Sequence, residues 1–219
     1  MKNTKILEML NNGKIEELKK LLEDEVYQDS LKTNGNAKQR YAAMKRYFRY
    51  AGKNPNIALN VPCENVEVNG NTYNSFVDGY TIVLTTEGIG EIKSFDKSKG
   101  DYFHVEKMFD FSGNMEKINL NVALAEAKAK GYKYKKSELG NYGNFQYVFK
   151  YKNGYYKVGL FDQAYNIIND GEEAEIYYIS PKSLLIIKTS IGICGILPFN
   201  FINGIDKTII DIENLSDAA

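Results

Sequence analysis

Histidine is nearly absent from this chain: His104, in YFHVEKMF, is the only one, and the 219 residues hold just two cysteines, Cys63 and Cys194. A metal site built from these residue types needs several of them at ligand spacing, and a histidine base needs a partner to orient it. Neither pattern is visible. The two cysteines lie far apart and both adjoin apolar runs, so they read as packing residues in a reducing compartment. No metal and no cofactor is expected.

An excess of one charge is missing too. Lys+Arg and Asp+Glu number 28 each, giving zero net charge and a pI near 6.6. That excludes a strongly basic nucleic-acid binder and leaves room only for a local patch. Long apolar runs are also lacking. The longest candidate, SLLIIKTSIGICGILPFNFI, is broken by Lys188 and punctuated by Gly192, Gly195 and Pro198, whereas a membrane span needs roughly 20 apolar residues. Glu8, Asn11 and Asn12 interrupt any signal-peptide core. No membrane partner and a cytoplasmic location are expected. GIGEIK lacks the G-x-x-x-x-G-K spacing of a phosphate loop, and Glu23, Asp24 and Glu25 read as a solvated helix face. Nothing announces a reaction, and the chain is not expected to be an enzyme. A small enzyme built on His104 and nearby carboxylates would need a cleft that sequence does not show.

What is present is a globular pattern that changes period. Hydrophobic residues make up 43% and charged residues 26%, enough apolar surface to form a core. Residues 3–27 predict a helical hairpin: Ile6, Leu7 and Leu10 share a face, Gly13 stops the first helix, and Ile15, Leu18, Leu21 and Leu22 continue at helical spacing. LKTNGNAKQ reads as a linker. A helix over 38–51 carries Tyr41, Met44 and Phe48 on one stripe and Lys38, Lys45 and Arg49 on another, with Arg46 beside it.

From residue 57 the period becomes alternating. IALNV, ENVEV, TYNSFV and YTIVLTT predict short strands, with Asn69-Gly70 and Asp78-Gly79 as turns and GIGEIKSF as a further candidate strand. Residues 98–145, containing the alanine-rich INLNVALAEAKAKGY, read as an insertion. FQYVFKYKNGYYKV predicts a hairpin about Asn153-Gly154, LFDQAYNIIND a helix over 160–169, and EAEIYYIS, LLIIKT and ICGILPF three strands. The many tyrosines alternate along such strands, which explains them as sheet formers with one wet end. Helix-then-strands thus occurs twice, an order that implies an α+β domain of antiparallel sheet backed by two helices.

One stretch carries more than a turn. SFVDGYTIV resembles the A-T-D-G-H-R-L-A signature of bacterial DNA polymerase sliding clamps: Asp78 and Gly79 match it, while Tyr80, Thr81 and Ile82 stand where the family has His, Arg and Leu. YYKVGLFDQAYNIIND is similar to the family's later strand-helix unit, and the closing strands end in Leu197-Pro198 where the family has Met-Pro. The likeness covers residues 37–96 and 146–201. It implies a duplicated βαβββ fold over 37–201 with the insertion at 98–145, preceded by the helical hairpin of 1–36 and followed by a polar, frayed tail at 202–219. The hairpin followed by this pattern also resembles small proteins of clostridial bacteria and their phages, a likeness that supplies no function.

The resemblance implies a non-enzymatic protein, possible in a phage setting, that acts in or around DNA replication. Duplex DNA would be held loosely by Lys38, Lys45, Arg46 and Arg49, and replication proteins would dock on an apolar pocket. Two departures bear on this. Family rings close with six such domains, whereas this chain holds one. The second helix offers Asp162, Gln163, Asn166 and Asn169, which is not a phosphate-facing set. The other reading is an interaction module of the same fold without DNA binding, using the helical hairpin as its docking element.

Overall fold

The computed structural model describes residues 2–33, 35–51, 62–89, 92, 104–109, 117–133, 147–178, 184–199 and 208–216. Its helices are α1 (Lys2–Asn11), α2 (Ile15–Thr33), α3 (Gly35–Ala51), α4 (Leu120–Ala129), α5 (Val158–Ile168) and α6 (Glu213–Ser216). The strands are β1 (Cys63–Val68), β2 (Asn71–Val77), β3 (Thr81–Thr85), β4 (Ile118–Asn119), β5 (Tyr147–Tyr151), β6 (Gly154–Lys157), β7 (Glu175–Tyr178), β8 (Leu185–Thr189), β9 (Gly192–Ile196) and β10 (Thr208–Asp211). The class is mixed α+β with mostly antiparallel sheet, as expected. None of the described helices is long and apolar enough to cross a membrane.

Seven strands form the main sheet in the order β1-β2-β3-β9-β8-β7-β4, antiparallel throughout. Two three-stranded meanders therefore meet edge to edge through β3 and β9, in mirrored order. Each follows a helix, α3 before β1–β3 and α5 before β7–β9, and the two helices pack on each other. The period of two along these strands splits the core in two. Phe76, Val83, Ile187 and Cys194 face the helices, while Val77, Ile82, Leu84, Ile186 and Ile193 face the other side. Burial on both faces explains the unbroken apolar runs IVL and LLII.

A second sheet, β10-β5-β6, closes over α5, whose residues are buried along almost the whole helix. Phe161, Ile167 and Ile168 are completely buried there, and each contributes about 1.5–3 kcal/mol of transfer free energy. Phe161 meets Phe149 of β5 edge to face, with ring centroids 5.2 Å apart.

Several expectations are corrected. The linker over LKTNGNAKQ is largely helical, because α2 runs to Thr33 and α3 starts at Gly35. The tail at 202–219 is not simply frayed: β10 pairs in parallel with β5, Ile210 and Ile212 are buried, and Asp211 accepts a 2.7 Å hydrogen bond from Lys150. The described residues of segment 98–145, at 104–109 and 117–133, are woven into the fold. Val105 and Phe109 cover the far face of the main sheet, β4 extends its edge, and α4 packs on α5. The turn between β5 and β6 falls on Lys152-Asn153, one residue earlier than expected, with Lys152 at φ +49°. The proposed strand at 57–61 lies outside the described residues, and the described part of GIGEIKSF contains no strand.

Candidate functional site

Helix α3 separates its faces by helical spacing. Ala37, Tyr41, Met44 and Tyr47 are buried, whereas Asn36, Lys38, Gln39, Ala42 and Lys45 are exposed. Lys38 and Lys45 thus share an open face, seven residues apart. The Lys45 ammonium sits 4.5 Å from the Tyr41 ring centroid, an arrangement that holds the charge near the helix surface.

Arg46 is half-buried, and its charge favours the ionised form of the Asp162 carboxyl on α5. Arg49 lies on the same helix, with its side chain outside the described residues. The sequence reading passed over Arg40. Its guanidinium is buried, donates to Glu87 Oε1 at 2.6 Å and to the Asn169 carbonyl at 3.3 Å, and so latches α3 to the ends of β3 and α5.

The second helix is mostly buried, with Asn166 and, just past its end, Asn169 left half-buried. Asp162 and Gln163 of α5 are buried, and α4 from the insertion lies over them. The Tyr132 hydroxyl, just beyond α4, donates to Asp162 Oδ2 at 3.2 Å. The Tyr165 hydroxyl donates to Asn121 Oδ1 at 3.2 Å, joining the start of α4 to α5. Local sequence explains the cover: Leu120, Ala123, Leu124 and Ala127 form one apolar stripe, and Asn119 caps the helix by accepting from the Val122 N–H.

The opposite side of α4 changes the electrostatics. Lys128, Lys130 and Lys133 are exposed at its C-terminal end, where the helix dipole favours cations. Lys130 also pairs with Glu126 at 3.1 Å. Lys128 and Arg46 both favour the ionised form of the Asp162 carboxyl. The signal was legible as AKAKGYK, but nothing local showed which surface it would join.

Asp162 itself gives a pH prediction. Burial holds its carboxyl above the ordinary aspartate value, against the Tyr132 hydroxyl, Lys128, Asn166 and Arg46, which favour the ionised form. A carboxyl whose folded pKa is raised contributes stability below its unfolded pKa and loses that contribution as pH climbs through the folded value. Asp162→Asn keeps an acceptor for Tyr132 and removes the charge. The variant is therefore expected to be at least as stable as wild type at pH 7, with a flatter decline between acid and neutral pH, measured by urea unfolding. A large loss of stability at pH 7 would show that the ionised carboxylate is needed there.

The exposed His104 has its Nδ1 2.6 Å from Oε1 of Glu106, which lies on a single-turn helix over 105–108. Cys63 and Cys194 are buried and not joined in a disulfide, and burial pushes the Cys194 thiol far above its ordinary value. Among the described residues, no group of three or more His, Cys, Asp or Glu side chains is placed to hold a metal.

A different surface stands open at the hairpin. Leu10, Ile15, Leu22 and Val26 line a groove of about 680 Å³ floored by the buried Leu18, with Lys19 and Glu23 at its rim. Tyr27 anchors the hairpin to the body: its hydroxyl donates to the Gly88 carbonyl at 2.6 Å, and its ring meets Tyr41 edge to face.

Comparison with known protein families, with curated proteins and with solved structures finds no match.

Proposed function

We propose that this is a non-enzymatic protein of sliding-clamp-like fold that holds duplex DNA loosely, in or around replication. The observation that carries the reading is the mirrored main sheet, β1-β2-β3 against β9-β8-β7, with α3 and α5 packed together behind it. That arrangement is what a duplicated helix-then-strands unit requires. In the clamp family the paired helices face DNA. Here α4 packs on α5, so the contact set is Lys38, Lys45, Arg46 and Arg49 of α3 together with Lys128 of α4 and Lys130 and Lys133 just beyond it. The lysines of the insertion replace the charge that α5 lacks.

Binding through such a surface is weak, indifferent to sequence and steeply reduced by salt, because each neutralised phosphate releases counterion. Fluorescence anisotropy with labelled duplexes tests it. Four phosphate contacts give a log–log salt slope of about −3.6. Changing Lys38, Lys45, Arg46 and Arg49 together to Ala is expected to weaken binding at low salt by about tenfold or more, equally for unrelated duplexes. Lys128, Lys130 and Lys133 changed together should lower the slope as well. Absence of binding by wild type at low salt, or unchanged binding by the α3 variant, defeats the reading.

A second reading is favoured by the open hairpin groove. In it the same fold is an interaction module without DNA binding, and α1–α2 is the docking element.

A further inference from the structure

We infer that the α1–α2 hairpin is a self-association surface, whose occupant is the hairpin of a second copy of this chain. The inference goes beyond the DNA reading and gives an occupant to the docking element of the interaction-module reading. Among the described residues, the exposed large apolar side chains concentrate here: Leu7, Leu10, Ile15, Leu22 and Val26, with Val26 72% exposed. The other four, Tyr80, Met108, Val122 and Ile209, are scattered over the body. Single exposed apolar residues are ordinary, but a contiguous stripe across two helices is not.

The stripe is both groove and ridge. Ile15, Leu22 and Val26 rise along α2 at spacings of seven and four, while Leu10 of α1 forms the facing wall. A groove between two helices is complementary in shape to the ridge of a third. The only continuous apolar ridge among the described exposed residues is that of the hairpin itself. Two hairpins can therefore bury each other's stripes as an antiparallel four-helix arrangement, with one self-complementary patch on both copies.

Charge fits the same pairing. Lys19 and Glu23 lie four residues apart on the groove rim, with opposite signs, and are 4.0 Å apart within the chain. A two-fold axis level with residue 21 sets α2 antiparallel to its copy. It brings Lys19 of each level with Glu23 of the other and leaves the two copies of Leu22 side by side, offset by about 3 Å along the helices. A partner with a groove rim of one sign would not match this surface as well. Zero net charge leaves no global repulsion to oppose association.

Sedimentation of the full chain tests the pairing, with circular dichroism to confirm that each variant is folded. Wild type is expected to pair with a dissociation constant in the range of about 1–100 µM. Leu22→Glu should weaken pairing by at least about tenfold, since an anchor at the centre of the patch is lost. Lys19→Glu alone and Glu23→Lys alone each set like charges across the axis and should be monomeric where wild type pairs. Mixed one to one, they present opposite rims and should form a heterodimer. Wild type that stays monomeric through that range overturns the inference. So does a dimer that survives Leu22→Glu, or a mixture of the two charge variants that fails to pair. DNA binding is read separately by anisotropy. A monomer shown to dock a defined foreign helix through Leu22 would preserve the interaction-module reading while ending this one.

Discussion

Gly192→Ala is expected to lower the unfolding free energy by about 3 kcal/mol or more, an overpacking loss at the high end of its class. Gly192 opens β9 and is paired on both sides, with Thr85 of β3 and Thr189 of β8. A Cβ there would lie 2.3 Å from the Leu84 carbonyl oxygen and 2.6 Å from Ile168 Cγ2. The first is backbone in the middle of a sheet. It cannot yield without breaking the seam between the two meanders, and Ile168 belongs to the last turn of the buried α5.

The neighbouring Gly195→Ala serves as the contrast. Its nearest obstacle is Leu184 Cδ1 at 2.9 Å, the far end of a side chain that can turn aside. A loss of about 1 kcal/mol is expected at Gly195, toward the low end of overpacking costs. Urea midpoints for the two variants decide the matter. Equal losses would mean that β3 and β9 do not approach as closely at residue 192 as the geometry requires.

That seam was only partly legible in the sequence. The change from helical to alternating period marked α3, β1–β3, α5 and β7–β9, because amphipathic spacing is a local property of each element. Val68 and Asn71 flank a two-residue turn on Asn69-Gly70 as expected, since turn chemistry is local too. Pairing of β3 with β9 joins residues more than a hundred positions apart, and nothing in either strand names its partner. Strand β10 was missed for a related reason. TIID is four residues in a polar stretch, and it is held by β5 and by the Lys150–Asp211 pair rather than by its own propensity.

The candidate site divides in the same way. Lys38 and Lys45 were read as an exposed stripe from their spacing, and both are exposed. Arg46 was grouped with them, yet it is half-buried and its charge acts on the Asp162 carboxyl of α5. The insertion is the element that sequence described least well. Its apolar stripe foretold a helix but not that the helix would cover α5. That cover takes Asp162 and Gln163 out of reach of any phosphate and presents Lys128 and its neighbours instead. Whether DNA is bound thus depends on an element outside the resemblance.

Gly79→Val is expected to cost about 2–3 kcal/mol, the strain of a β-branched residue at a backbone conformation it rarely adopts. Gly79 has φ +88° in the turn between β2 and β3. The turn is held by Asp78, whose Oδ1 accepts from the Tyr80 N–H at 2.9 Å and the Thr81 N–H at 2.7 Å, while the Asp78 N–H donates to the Thr81 carbonyl. Moving φ to a value that valine accepts would pull Tyr80 and Thr81 off that carboxylate. Thr81 is also where α3 is fastened, because its Oγ1 lies 2.7 Å from the buried Tyr47 hydroxyl. The strain therefore passes from the turn to the helix that carries Lys45 and Arg46. Gly79→Asn should cost less than Val, since asparagine tolerates positive φ better than a β-branched residue. Thermal unfolding of the two variants measures the difference. An unchanged midpoint for Gly79→Val would show that the turn relaxes without strain and that α3 does not depend on it.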